Sequence, residues 1–217
     1  MESEDSDILI KIVIVGNSSV GKTNLVKRFI EDRFNENQKT TVGFDFVSKD
    51  IEINGQTVKV QLWDTAGQEK YKAVTTSSYK LANGIVIAYD VTRRESFAQA
   101  EAWLEHVRNN SRSDTKIILV GNKIDLLESR EISEEEGKAF AEKHGLFFWE
   151  TSAMTNQHEC VNRAFGVVIN ECLKDHLTSE EHQEFLKIRE EKRKSALELN
   201  SMARPSELKP SSGSCCK

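Results

Sequence analysis

Ile8–Val15 is a run of isoleucine, leucine and valine broken by a single lysine, and it leads directly into Gly16-Asn17-Ser18-Ser19-Val20-Gly21-Lys22-Thr23. Behind that string, Lys22–Glu31 places Leu25, Val26 and Phe29 at helical spacing. A strand buried on both faces, a loop of the pattern G-x-x-x-x-G-K-[ST] and an amphipathic helix leave few folds open. The glycines let the backbone wrap an anion, and the loop amides and helix N-terminus face it. In this reading Ser18, Ser19, Val20, Gly21, Lys22, Thr23 and Asn24 form a phosphate-binding wall. Lys22 reaches the β and γ phosphates, and the Thr23 hydroxyl ligates Mg²⁺.

Apolar runs and helical patterns alternate from there to His176, which predicts an α/β fold of the P-loop NTPase type. Strands are expected at Ile8–Val15, Phe44–Ile53, Thr57–Trp63, Gly84–Tyr89, Lys116–Val120 and Leu146–Trp149. Asn54-Gly55 is a hairpin-turn signal, so one antiparallel strand joins a six-stranded, mostly parallel sheet with helices on both faces. Helices are expected at Glu95–Asn109, Ser133–His144 and Cys160–His176, the second opened by the capping-box spacing of Ser133 and Glu136. The loops around 35–46 and 66–80 are read without a helix.

Two further strings follow predicted strands. Trp63-Asp64-Thr65-Ala66-Gly67-Gln68 offers a carboxylate for Mg²⁺ at Asp64. Its Gly67 can give an unobstructed N–H to a γ-phosphate, and Gln68 has both donor and acceptor to orient an attacking water. Gly121-Asn122-Lys123-Ile124-Asp125 places a carboxylate where guanine presents its N1–H and N2 amine. Adenine lacks that amine, and a site built for donors rejects it strongly. Asn122 is expected to hold the loop, and the Lys123 stem to lie over the base. Ser152 and Ala153 follow the last strand, with the Ala153 N–H facing guanine O6, and Phe34 is a candidate edge contact. Ligands collect at the strand ends of such a sheet. Two rivals stay open: a P-loop kinase or ATPase, which Asn122–Asp125 opposes, and a nucleotide-holding scaffold without hydrolysis, which Gln68 opposes.

Together these strings resemble the Ras-like small GTPases, and within them the Rab family. Val42-Gly43-Phe44-Asp45-Phe46, Lys59-Val60-Gln61-Leu62-Trp63 and Tyr89-Asp90-Val91-Thr92 are Rab-like. Lys39–Gly43, Lys70–Val74 and Ala139–Leu146 are most similar to the Rab-eleven branch, associated with recycling endosomes. The resemblance implies a G domain over 8–176 that binds GTP or GDP with Mg²⁺. It also implies that Thr41 reaches Mg²⁺ through its hydroxyl and the γ-phosphate through its N–H. Effectors, an exchange factor and a GTPase-activating protein are the implied partners of a monomeric switch in vesicle trafficking. One departure stands out. Rabs usually pair Phe46 and Trp63 with an aromatic residue where this chain has Ser78. No arginine in cis is evident to assist hydrolysis.

The remaining sequence is charged at 177–200, which allows a helical extension, and rich in Ser, Pro and Lys at 201–217, a flexible tether. Gly213-Ser214-Cys215-Cys216-Lys217 resembles a Rab double-prenylation signal and is not a C-a-a-X box. Two lipid chains on Cys215 and Cys216 would anchor the chain stably where one would not. A net charge of −5 argues against nucleic acid as a partner. Cys160 and Cys172 read as small apolar packing groups. The five histidines read as surface or helix-end residues, and Trp103 and Trp149 as packing groups. The expected location is the cytoplasmic face of endosomal or Golgi-related membranes, in exchange with cytosol.

Overall fold

The computed structural model describes residues 8–38, 41, 44–53, 55–65, 72–177 and 187. By its contacts the chain divides after Lys174. Six strands form one sheet in the order β2-β3-β1-β4-β5-β6. They are β1 (Ile8–Val15), β2 (Phe44–Ile53), β3 (Gln56–Thr65), β4 (Gly84–Asp90), β5 (Lys116–Asn122) and β6 (Phe147–Thr151). Only β2 runs antiparallel, paired with β3 from Phe44↔Thr65 to Ile53↔Gln56. The turn between them includes Gly55 at φ 76; Asn54 lies outside the described residues.

The pleat of β1 shows why this strand is central. Ile8, Ile10, Ile12 and Ile14 point to one face, where they meet Leu25, Val26 and Phe29 of α1 (Lys22–Glu31). Val161, Phe165, Val168 and Ile169 of α6 (Cys160–Leu177) close that layer. Val13 and Val15 point to the other face, with Ile85, Ile87, Tyr89, Trp103, Leu104, Val107 and Ala141. A fully buried side chain of this kind contributes roughly 1.5–3 kcal/mol, so two dry layers outweigh any local helix or strand preference. Cys160 and Cys172 are both buried, as expected of small apolar groups.

Two elements differ from the sequence expectation. Lys72–Tyr79 is a helix, α2. Its Val74, Thr75, Thr76, Ser77 and Ser78 are weak helix formers, which hid it. The expected helix at Glu95–Asn109 is interrupted at Gln99, giving α3 (Arg94–Ala98) and α4 (Ala100–Arg108). Backbone bonds still run through the break, from the Gln99 N–H to the Glu95 carbonyl and from the Trp103 N–H to the Gln99 carbonyl. The Gln99 side chain there accepts a bond from Asn17 at 2.8 Å.

Helix α5 (Glu134–His144) starts on the full capping box that its sequence announces. The Glu136 N–H donates to Ser133 Oγ at 3.2 Å, and the Ser133 N–H donates to Glu136 Oε2 at 3.0 Å. Gly145, left-handed at φ 62, ends it. Ser133→Ala is expected to cost about 1 kcal/mol. Urea titration should show a lower midpoint with an unchanged slope.

Candidate functional site

Strand register brings the site together. Ile14↔Asp64, Asp90↔Asn122 and Asn122↔Thr151 are paired positions, so β1, β3, β4, β5 and β6 end along one edge of the sheet. At that edge Gly16 has φ 137, and a Cβ there would stand 2.1 Å from the Ala88 carbonyl oxygen. Only glycine lets the chain leave β1 this close to β4. Gly21, at φ 97, likewise has Asn122 Nδ2 2.4 Å from where its Cβ would sit. It precedes α1 without any side-chain cap, leaving the first helix amides to a ligand or to water.

Asn17 anchors the loop from outside. Its Oδ1 accepts from Trp103 Nε1 at 2.8 Å, and its Nδ2 donates to Gln99. Lys22 Nζ lies inside the loop, donating to the carbonyls of Gly16 at 2.9 Å and Asn17 at 2.7 Å. Burial pulls its pKa down to about 8, partly opposed by Asp64. A buried ammonium in a nest of amides suits a polyanion.

Thr23, Thr41 and Asp64 converge beside it. Thr23 Oγ1 donates to Asp64 Oδ2 at 2.5 Å and lies 2.8 Å from Thr41 Oγ1. Thr41 Oγ1 is 3.5 Å from the same carboxylate oxygen. Asp64 is 2% exposed, and its other oxygen, Oδ1, is buried without a hydrogen-bond partner among the described residues. Burial raises the Asp64 pKa above the ordinary value, against the hydrogen bond from Thr23 and the charge of Lys22. An orphaned carboxylate oxygen beside two hydroxyls fits a hard divalent cation whose remaining ligands come from phosphate and water. Among the described residues no cluster of three His, Cys, Asp or Glu offers an all-protein cage.

The other end of the site is built on Asn122. Its Nδ2 donates to the Val20 carbonyl at 2.9 Å, and its Oδ1 accepts from Thr151 Oγ1 and from the Ala153 N–H, both at 3.2 Å. The Ala153 N–H, expected to face guanine O6, donates to Asn122 in the structure. Lys123 takes a left-handed backbone, φ 71, and its Nζ pairs with buried Asp90 at 2.6 Å. With its head held there, its stem is left as cavity wall. Asp125 Oδ1 accepts from Ser152 Oγ at 2.5 Å.

A cavity of about 460 Å³ joins the two ends. Of the expected residues, Ser18, Ser19, Gly21, Lys22, Thr23, Asn24, Phe34, Thr41, Asn122, Lys123, Asp125 and Ala153 line it. Val20, Asp64 and Ser152 do not: Val20 is buried in the core, Asp64 is buried and bonded to Thr23, and Ser152 bonds to Asp125. Asn24 also bonds reciprocally with the backbone of Asn35, which steadies the loop carrying Phe34. Gly67, Gln68, Cys215 and Cys216 lie outside the described residues. Glu36, Gln38, Thr65, Leu126 and Met154 also line the cavity. Their sequence carried no signal beyond adjacency to a motif. An arginine does approach the loop: Arg93 Nη1 is 3.5 Å from the Ser18 carbonyl, though Arg93 does not line the cavity.

A Ras family model matches residues 11–174. The chain belongs to the Ras family. It is 48% identical over 162 residues to Ras-related protein RABA6b of Arabidopsis thaliana, covering 75% of this chain and 70% of that one. It is 47% identical over 165 residues to Ras-related protein RGP2 of Oryza sativa subsp. japonica, covering 75% and 74%. Over 171 residues it is 43% identical to Ras-related protein Rab11B of Nicotiana tabacum, covering 79% and 78%. This Rab-type small GTPase, near the Rab-eleven branch, binds guanine nucleotide, hydrolyses GTP and serves membrane traffic through regulators and effectors.

For the Rab-type site, Asp125→Asn should lower affinity for GTP tenfold or more and let xanthine nucleotides compete, since an amide presents a donor where guanine needs an acceptor. Competition against a labelled guanine nucleotide measures both; undiminished competition by GTP would remove Asp125 from base recognition.

Proposed function

We propose that this Rab-type domain, spanning 8–176, is a Mg²⁺-dependent switch whose cavity takes the phosphates on Gly16–Thr23 and guanine against Asp125. The observation that carries this is the single cavity with Lys22, Thr23 and Thr41 at one end and Asn122, Asp125 and Ala153 at the other. Lys22 and the loop amides bind the β and γ phosphates. Thr23, Thr41 and Asp64 would hold Mg²⁺, whose charge would offset that of the phosphates. Phe34 and the Lys123 stem flank the base, and Asp125, held by Ser152, reads its amino edge.

Gly67 donates to the γ-phosphate, and Gln68 orients the water that attacks it. With GTP bound, Thr41 and Gly67 are both tethered to the γ-phosphate, which orders the surrounding loops for partners. Hydrolysis removes both tethers. With Arg93 outside the cavity, unaided turnover is slow, on the order of 10⁻⁴ to 10⁻³ per second, and a partner's arginine adds about 10³–10⁵-fold.

Residues 177–200 extend the domain, and 201–217 tether it to lipids on Cys215 and Cys216. No described helix is long and apolar enough to cross a membrane. The chain acts as a monomer on the cytoplasmic face of endosomal or Golgi-related membranes and cycles with the cytosol.

Gln68→Leu should keep GTP affinity and lose most of the hydrolysis stimulated by an activating protein. Single-turnover phosphate release checks this, and stimulated turnover at the wild-type rate would remove Gln68 from the mechanism. ATP in large excess should fail to displace labelled GTP; efficient displacement would restore the kinase or ATPase reading.

A further inference from the structure

Arg28 lies on α1, outside every motif, and its side chain is only 14% exposed. Its guanidinium makes four hydrogen bonds in three directions. Nε donates to the Ala153 carbonyl at 2.9 Å, and Nη2 donates to the Met154 carbonyl at 2.9 Å. Nη1 donates to the Asp32 carbonyl at 2.8 Å and to Asp32 Oδ1 at 3.0 Å. Ala153 and Met154 form one wall of the base end of the cavity. Asp32 is the left-handed C-cap of α1, φ 52, from which the chain runs to Phe34 on the same cavity.

We propose that Arg28 is a positioning residue that locks these two walls together and thereby sets how long guanine nucleotide stays bound. This rests on the nucleotide reading of the cavity. The loop it holds also orients the base reader: Ser152 Oγ donates to Asp125 Oδ1 and accepts from the Thr155 N–H at 3.0 Å. The carboxylate of Asp32 is 79% exposed, so that ion pair contributes little. The carbonyl bonds carry the effect. They need a planar fork of N–H donors, which lysine does not supply.

The test uses the full chain, wild type and Arg28→Ala, Arg28→Lys and Asp32→Asn variants, each loaded with fluorescent GDP at fixed Mg²⁺ and chased with unlabelled GDP. Both Arg28 variants should release nucleotide about 10–100-fold faster, the equivalent of about one charge-assisted bond. Their preference for GDP over inosine diphosphate, which lacks the amine facing Asp125, should shrink. Asp32→Asn should release at close to the wild-type rate. Hydrolysis of pre-bound GTP should change by less than about threefold, because the reacting phosphate lies at the other end. If Arg28→Ala does not fold, Arg28→Lys decides. Wild-type release from Arg28→Lys would overturn the proposal. So would faster release with unaltered base preference and slowed hydrolysis, which would mark a general softening of the domain. A wild-type chain that holds no fluorescent GDP would overturn the nucleotide reading itself.

Discussion

The buried amide of Asn122 is the contact on which the site depends. One side chain donates to the Val20 carbonyl in the phosphate loop and accepts from Thr151 and Ala153 after β6. Those segments are far apart in sequence and are brought within reach by the β4–β5–β6 register. At 1% exposure, none of these groups has ready access to solvent as a substitute partner. A buried polar group left unpaired costs about 1–3 kcal/mol, so losing this amide would strand up to three of them at once. The two ends of the cavity are thereby tied together by protein alone.

The same logic explains the unusual backbone nearby. Gly16, Gly21, Ser19 and Lys123 all have positive φ, and the last two pay a steric cost that glycine avoids. Strain of this kind persists only where surroundings over-determine it. Lys123 is pinned through its ion pair with Asp90, whose other oxygen accepts from the Thr92 N–H and hydroxyl. Lys123, which lies between Asp125 and the sheet, is thus held at both backbone and side chain.

Much of this was legible in sequence because the motifs combine a local conformation with a chemical requirement. Gly16–Thr23 encodes a turn and an anion site together, and the β1 alternation encodes both core layers. What escaped was long-range or weakly encoded. Helix α2 is made of residues with poor helix propensity, and its burial through Tyr79 overrides that preference. Asn17 to Trp103 and Arg28 to Met154 are contacts across many residues, and no periodicity announces them. Val20 and Ser152 sat inside motifs, yet a motif marks a segment and not which side chains face the ligand. The histidines show the same limit. His106 and His144 sit in the last turns of α4 and α5, as a helix-end reading expects, yet their rings also pack against Tyr79 and Phe140, which that reading did not specify.

Charge gives the site its last property. Lys22 and Asp64 are both buried, and in each case burial disfavours the charged form. Their mutual attraction is the smaller effect for both. A fold that buries an ammonium and a carboxylate without a close, dedicated ion pair is less stable than one with apolar residues there. A polyanion beside Lys22 and a cation beside Asp64 would each restore the charged form, so the free energy spent on the empty geometry returns as ligand affinity. By mass action a ligand present at a thousand times its dissociation constant adds about 4 kcal/mol to stability. That is a large share of the ~5–15 kcal/mol that holds a domain of this kind together. The ligand proposed for this cavity would in this sense be part of the core, and Lys22 and Asp64 are groups that the fold alone supports poorly.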